Sequence, residues 1–260
     1  MLLMIVLLLL LVFIVLVLVV PPRQQDAYGN HVSTFQELFK TLEYGSLKNK
    51  FTFRTYEELF GRFRHKNPVI LEIGVRGGGG TELFYKYFDN QCEIYGVDIE
   101  ERVKRIQKKY PQTQIFIGDQ ADPVFMKHVA ETIGKPIDIV LDDGGHFMHQ
   151  QIRSFEALFP FVREGGVYVI EDVQTSYNEE FNNHTTPTLV EYLKTMTDKV
   201  VQGSLGTQSQ VKSIQFYKDM VAIQKDKDIP FGFVYKDKNT YKDSILNVYH
   251  DVPDPFDVEY

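Results

Sequence analysis

The chain contains a single cysteine, Cys92, so an intrachain disulfide is impossible and a disulfide framework is excluded. It has no long run of lysine or arginine, and acidic residues outnumber basic ones by 35 to 28. That balance removes the electrostatic footprint of a general nucleic-acid binder, and no nucleic acid is expected as a partner. No internal repeat is present, and no low-complexity tract lies beyond the first twenty residues. Two nucleotide fingerprints are missing as well. A glycine-rich stretch, Leu71 to Gly80, follows an apolar strand and precedes a helix, but Arg76 stands where a dinucleotide loop starting at Gly74 needs glycine. Gly80 stands where a phosphate loop needs lysine, so NAD, FAD, ATP and GTP all lose their main support.

What is present begins with Met1 to Val20, an unbroken apolar run long enough to cross a hydrocarbon core as a helix. It lacks the basic start and small-residue cleavage site of a signal peptide and is read as a single-pass membrane anchor. Arg23, Lys40, Lys48 and Lys50 follow it, which tilts the reading toward a catalytic domain on the cytosolic side. Asn183-His-Thr185 fits a glycosylation acceptor that only a lumenal location would use, but such tripeptides often arise by chance. The expected division is an anchor over 1–20, a linker and helical preamble over 21–66, a catalytic domain over 67–228 and a tail over 229–260.

In the preamble, Ser33-Thr-Phe-Gln36 and Thr55-Tyr-Glu-Glu58 read as capping boxes that open short helices. Beyond it, strands are expected at 69–73, 93–97, 115–117, 139–141 and 167–170, with helices at 81–88, 102–110, 150–162 and 185–201. Ser213 to Tyr217 and Val221 to Gln224 read as a hairpin. The alternation predicts an α/β fold: a Rossmann-like doubly wound sheet, mostly parallel, with one antiparallel strand from the C-terminal hairpin and an N-terminal transmembrane helix.

In such a sheet the carboxyl ends of successive strands open on one edge. Asp142, Asp143, His146, Glu171 and Asp172 should therefore converge in one crevice. Clustered carboxylates beside an imidazole, with nothing basic nearby to neutralise them, repel one another unless a cation is present, and a hard divalent metal is the simplest remedy. Glu72 enters the glycine turn of Gly74, Gly77 and Gly78, Asp98 ends the second strand, and Asp119-Gln120 follows the third. Asp98 can accept from ribose hydroxyls, and the Asp119-Gln120 pair sits where an adenine edge could be read. An acidic crevice repels a pyrophosphate but tolerates a cationic tail, which fits S-adenosylmethionine.

These segments resemble the class I S-adenosylmethionine-dependent methyltransferases, and within them the metal-dependent macrolide sugar O-methyltransferases of the mycinamicin and tylosin type. The marks are Leu71-Glu-Ile-Gly-Val, Tyr95-Gly-Val-Asp-Ile, Gly118-Asp-Gln-Ala-Asp, Asp142-Asp-Gly-Gly-His and Gly165-Gly-Val-Tyr-Val-Ile-Glu-Asp. The resemblance spans roughly residues 44–225. It implies Mg²⁺ held by Asp143, Glu171 and Asp172, with His146 as general base and Asp143 beside it in the reaction. The chain departs from the family in having Gly145 where serine is usual. The implied acceptor is a sugar or other small-molecule or glycan hydroxyl; a catechol-like diol, or a tethered non-catalytic binding role, stays open, as does a homo-oligomer.

Overall fold

The computed structural model describes residues 33–182, 187–202, 210–227, 233–236 and 241–245. Two short helices lead: α1, Phe35–Phe39, and α2, Thr52–Phe60. There follow β1 (Val69–Ile73), α3 (Gly79–Tyr87), β2 (Glu93–Asp98), a 3₁₀ stretch (Glu101–Lys108), β3 (Gln114–Ile117), α4 (Pro123–Ile133), β4 (Ile137–Asp142), α5 (Met148–Leu158) and β5 (Val162–Glu171). A short α6 (Glu179–Asn182), then α7 (Leu189–Val201), lead into the hairpin β6 (Val211–Phe216) and β7 (Met220–Lys225). Among the described residues, strands β8 (Phe233–Lys236) and β9 (Tyr241–Ile245) pair with each other, apart from the main sheet.

The main sheet has seven strands in the order β3-β2-β1-β4-β5-β7-β6. Strands β1 to β5 are parallel, and β7 runs antiparallel to both β5 and β6. The reversed strand is therefore next to last, and β6 forms the edge. Chain direction across the sheet switches between β1 and β4, the point at which ligands enter open α/β sheets.

Side chains alternate between two cores. On one face Ile70, Ile139, Leu141 and Val169 meet the aromatic cluster of Phe35, Tyr56, Phe60, Phe84 and Tyr87. On the other, Leu71, Val140, Tyr168 and Ile170 meet Met126, Phe155, Leu158 and Leu193 from α4, α5 and α7. Both faces are covered, which is why the central strands read as continuous apolar runs.

The membrane-anchored reading requires correction. Among the described residues no helix is long and apolar enough to cross a membrane. The longest of them, α7, has 13 residues and spans about 20 Å at 1.5 Å per residue, short of a hydrocarbon core. Met1 to Val20, on which the transmembrane helix, the membrane localisation and the membrane partner all rested, lie outside the described residues, as do 24–31 and Asn183-His-Thr185.

Smaller differences have local causes. The first capping box is built on Thr34 and Glu37, and Thr55 lies inside α2 rather than at its start. Helix α4 was not anticipated, although Asp122 caps it through the Val124 and Phe125 N–H groups, Pro123 opens it and Gly134 closes it in the left-handed conformation.

Candidate functional site

At the carboxyl edge of β1, β2, β4 and β5 lies a cavity of about 840 Å³. Its cofactor-like end runs along the glycine turn to Asp98 and Asp119, and its other end reaches Asp143, His146, Glu171 and Asp172.

Gly74 has φ +90°, and a Cβ there would collide with the Asp143 carbonyl, so the turn presses against the acidic loop. Glu72 is buried and accepts from the Thr81 hydroxyl; burial pushes its carboxyl up to about 8 despite that bond. Asp98 accepts from the Arg76 N–H (2.8 Å) and the Glu100 N–H (2.9 Å), one on each oxygen, which leaves each a lone pair toward the cavity. Asp119 accepts from the Ala121 N–H at 2.8 Å. Gly78 does not line the cavity; it faces the Ile106 side chain and opens α3 with φ +89°. Gln120 is a strut as well as a wall: its amide donates to Asp142 at 3.0 Å and accepts from the Gly145 N–H at 2.8 Å.

The two carboxylate pairs divide. Asp142, the last residue of β4, is fully buried and does not join the crevice. It accepts from Ser154 (2.5 Å), Gln120 and Tyr168, and so fixes the base of the loop 143–146. Asp143 turns into the cavity. Asp143, His146 and Asp172 each offer a ligand atom, all within 4.8 Å of one another. Nε2 of His146 lies 3.4 Å from Asp172 Oδ2, while Nδ1 is buried without a partner among the described residues. Both His146 and Asp172 hold positive φ, 61° and 55°, the strained backbone often found where side chains are aimed at a ligand. The carboxylates of Asp143 and Asp172 offer the oxygen donors that a hard divalent cation takes, with the imidazole beside them.

Glu171 differs. Its carboxylate accepts from Lys48 Nζ at 2.9 and 3.0 Å and from the Tyr56 hydroxyl, and the same ammonium lies 2.6 Å from Asp143 Oδ2. The expectation that nothing basic lies near the acids is therefore corrected: Lys48 is about a hundred residues away in sequence and in contact in space. Burial alone would lower the Lys48 pKa, but Glu171, Tyr56 and Asp143 outweigh it and hold it well above the usual value. Burial pushes the Asp143 and Glu171 carboxyls up, and Lys48 opposes that push.

Neither Lys48 nor Tyr56 was singled out from sequence. No local pattern marks them; only the unbalanced charge of the cluster, which demands a cation from somewhere, pointed that way.

Residues 71–173 match the family model of a methyltransferase domain. The chain is 33% identical over 188 residues to the 8-demethyl-8-alpha-L-rhamnosyl tetracenomycin-C 2'-O-methyltransferase of Streptomyces olivaceus, covering 65% of this chain and 49% of the relative. It is 37% identical over 156 residues to the mycinamicin VI 2''-O-methyltransferase of Micromonospora griseorubida, covering 56% and 38%. It thus spans about half or less of the length of these relatives. Among solved structures, the MycE methyltransferase in complex with Mg, SAH and mycinamycin VI superposes with a TM-score of 0.66 and 28% identity, over 77% of this chain and 55% of that one.

Proposed function

We propose, from the class I methyltransferase domain that this chain carries, that it is an S-adenosylmethionine- and Mg²⁺-dependent O-methyltransferase acting on a hydroxyl of a sugar or glycoside. The observation that carries the reading is a single cavity with an acidic cofactor-like end and a carboxylate–imidazole cluster at the other.

Glu72, Gly74, Gly77, Asp98 and Asp119 would hold the cofactor: Asp98 through the ribose hydroxyls, Asp119 toward the base, and Glu72 and the glycine turn beside the tail. Asp143, Glu171 and Asp172 would hold the metal. S-adenosylmethionine supplies an electrophilic methyl group, and a divalent cation supplies positive charge that lowers the pKa of a neighbouring hydroxyl and orients it.

The chain's own residues do the rest. His146 takes the acceptor's proton, and since Nδ1 is buried, Nε2 is the nitrogen that receives it. Asp172 beside Nε2 steadies the imidazolium that results. Gln120, Ser154 and Tyr168 keep the loop 143–146 in place through Asp142. The glycine turn and the acidic loop, in contact at Gly74, fix the distance between donor and acceptor.

The test is transfer of a labelled methyl group from S-adenosylmethionine to a panel of sugars, glycosides and catechols, with His146→Ala alongside. Turnover on a glycoside should require Mg²⁺ and fall by about 10²–10⁴-fold in the variant, with cofactor affinity retained. Transfer to catechols alone would replace the acceptor class, and full activity in the variant would remove His146 from its role.

A further inference from the structure

The acid cluster already contains a cation supplied by the chain itself. Lys48 is no wandering surface lysine: its side chain is 5% exposed, and its ammonium engages one oxygen of Asp143 and both oxygens of Glu171. Tyr56 closes the other side, its hydroxyl on Glu171 and its ring 5.6 Å from the ammonium.

The segment that delivers Lys48 is itself built in. The buried Glu82 carboxylate accepts from the Glu43 N–H (2.9 Å) and the Tyr44 N–H (2.8 Å). Residues 44–46 then lie flat on the glycine turn, where a Cβ at Gly77 would strike the Gly45 carbonyl and one at Gly79 would come within 2.6 Å of the Ser46 side chain. Two of the four consecutive glycines are therefore needed by this strap.

An Mg²⁺-sized ion sits about 2.0–2.1 Å from its carboxylate oxygens. An ion on Asp143 Oδ2 and Glu171 would sit close to Nζ, which lies 2.6–3.0 Å from the same oxygens, so the two like charges compete for them. We propose that Lys48 is an intramolecular competitor that a divalent cation must displace to enter the acid cluster, and that its displacement loosens the end of the strap, residues 47–50, while Glu82 still holds residues 43 and 44. This rests on the reading that Asp143, Glu171 and Asp172 hold a metal.

Manganese alone serves as the probe, with the intact chain. By electron paramagnetic resonance of free Mn²⁺, Lys48→Met should bind the ion about tenfold or more tightly than the unaltered chain, since a buried like charge is gone. Asp143→Asn should weaken binding in both backgrounds. A second measurement needs no Lys48 variant: adding Mn²⁺ should speed tryptic cleavage at Lys48 or Lys50 in the unaltered chain but not in Asp143→Asn. Equal or weaker binding by Lys48→Met, or a strap protected by Mn²⁺, overturns the proposal while leaving the metal reading intact. No Mn²⁺ binding by either the unaltered chain or Lys48→Met sinks the metal reading and the proposal with it.

Discussion

At Glu72 two effects oppose each other. Burial favours the neutral acid, the Thr81 hydroxyl and Lys48 favour the carboxylate, and burial prevails, with the pKa near 8. In the unfolded chain the same group titrates near 4.5. Between those values the folded state holds one more proton, so stability falls as pH rises, by up to about 1.4 kcal/mol per pH unit. The contribution is complete below 4.5 and lost as pH passes 8. Glu72→Gln mimics the protonated form, so its melting temperature should lose that slope between pH 5 and 8; an unchanged slope would assign the dependence to another group. Glu72 was legible in sequence because an acid entering a glycine turn is a local pattern. The split between Asp142 and Asp143 was not extracted, though strand alternation encodes it: adjacent residues at the end of β4 point to opposite sides. Lys48 and Tyr56 reach Glu171 only through tertiary packing, which no spacing rule records.

Among elements, the strap depends on one side chain. Glu82 is fully buried, accepts two backbone N–H groups from residues 43 and 44, and faces Lys109 at 3.0 Å and Lys86 at 3.5 Å. Burial opposes its charge, but the Tyr44 N–H, Lys109 and the Glu43 N–H hold its pKa below the usual range. Glu82→Ala leaves those donors unpaired and should cost about 2–5 kcal/mol, with the loss concentrated in residues 43–49. Hydrogen exchange should show that segment opening before β1 or β4; uniform loss of protection would mean the strap is not a separate unit. Strands were the most legible elements, β1 over its five residues, because burial on both faces leaves an unmistakable apolar run. Helix α4 lies outside the expected elements although its cap, proline and closing glycine are all local and its buried Met126, Val129, Ala130 and Ile133 recur at helical spacing.

For the molecule as a whole, the issue is whether residues before the sheet are an attachment or part of the core. Phe35 stacks on Tyr87 with ring centroids 3.6 Å apart, and Tyr56 and Phe60 close around Phe84. Glu57 ties the layers together, accepting from the Phe35 N–H at 2.5 Å and the Tyr87 hydroxyl at 3.0 Å. Phe35, Tyr56, Leu59, Phe60 and Phe63 are all at most 3% exposed. At roughly 1.5–3 kcal/mol for each large apolar side chain fully buried, five of them contribute on the order of 10 kcal/mol, comparable with the net stability of a whole domain. A division at residue 66 would therefore cut through the core. A fragment beginning at Asn67 should lack a cooperative thermal transition and bind a hydrophobic dye, because Phe84, Tyr87 and the β1–β4 face lose their cover. A fragment beginning at Ser33 should keep the transition of the longer chain. If the Asn67 fragment melted as sharply and at the same temperature, the helices would be an attachment after all, and Tyr56 could not be holding Glu171 as part of the fold.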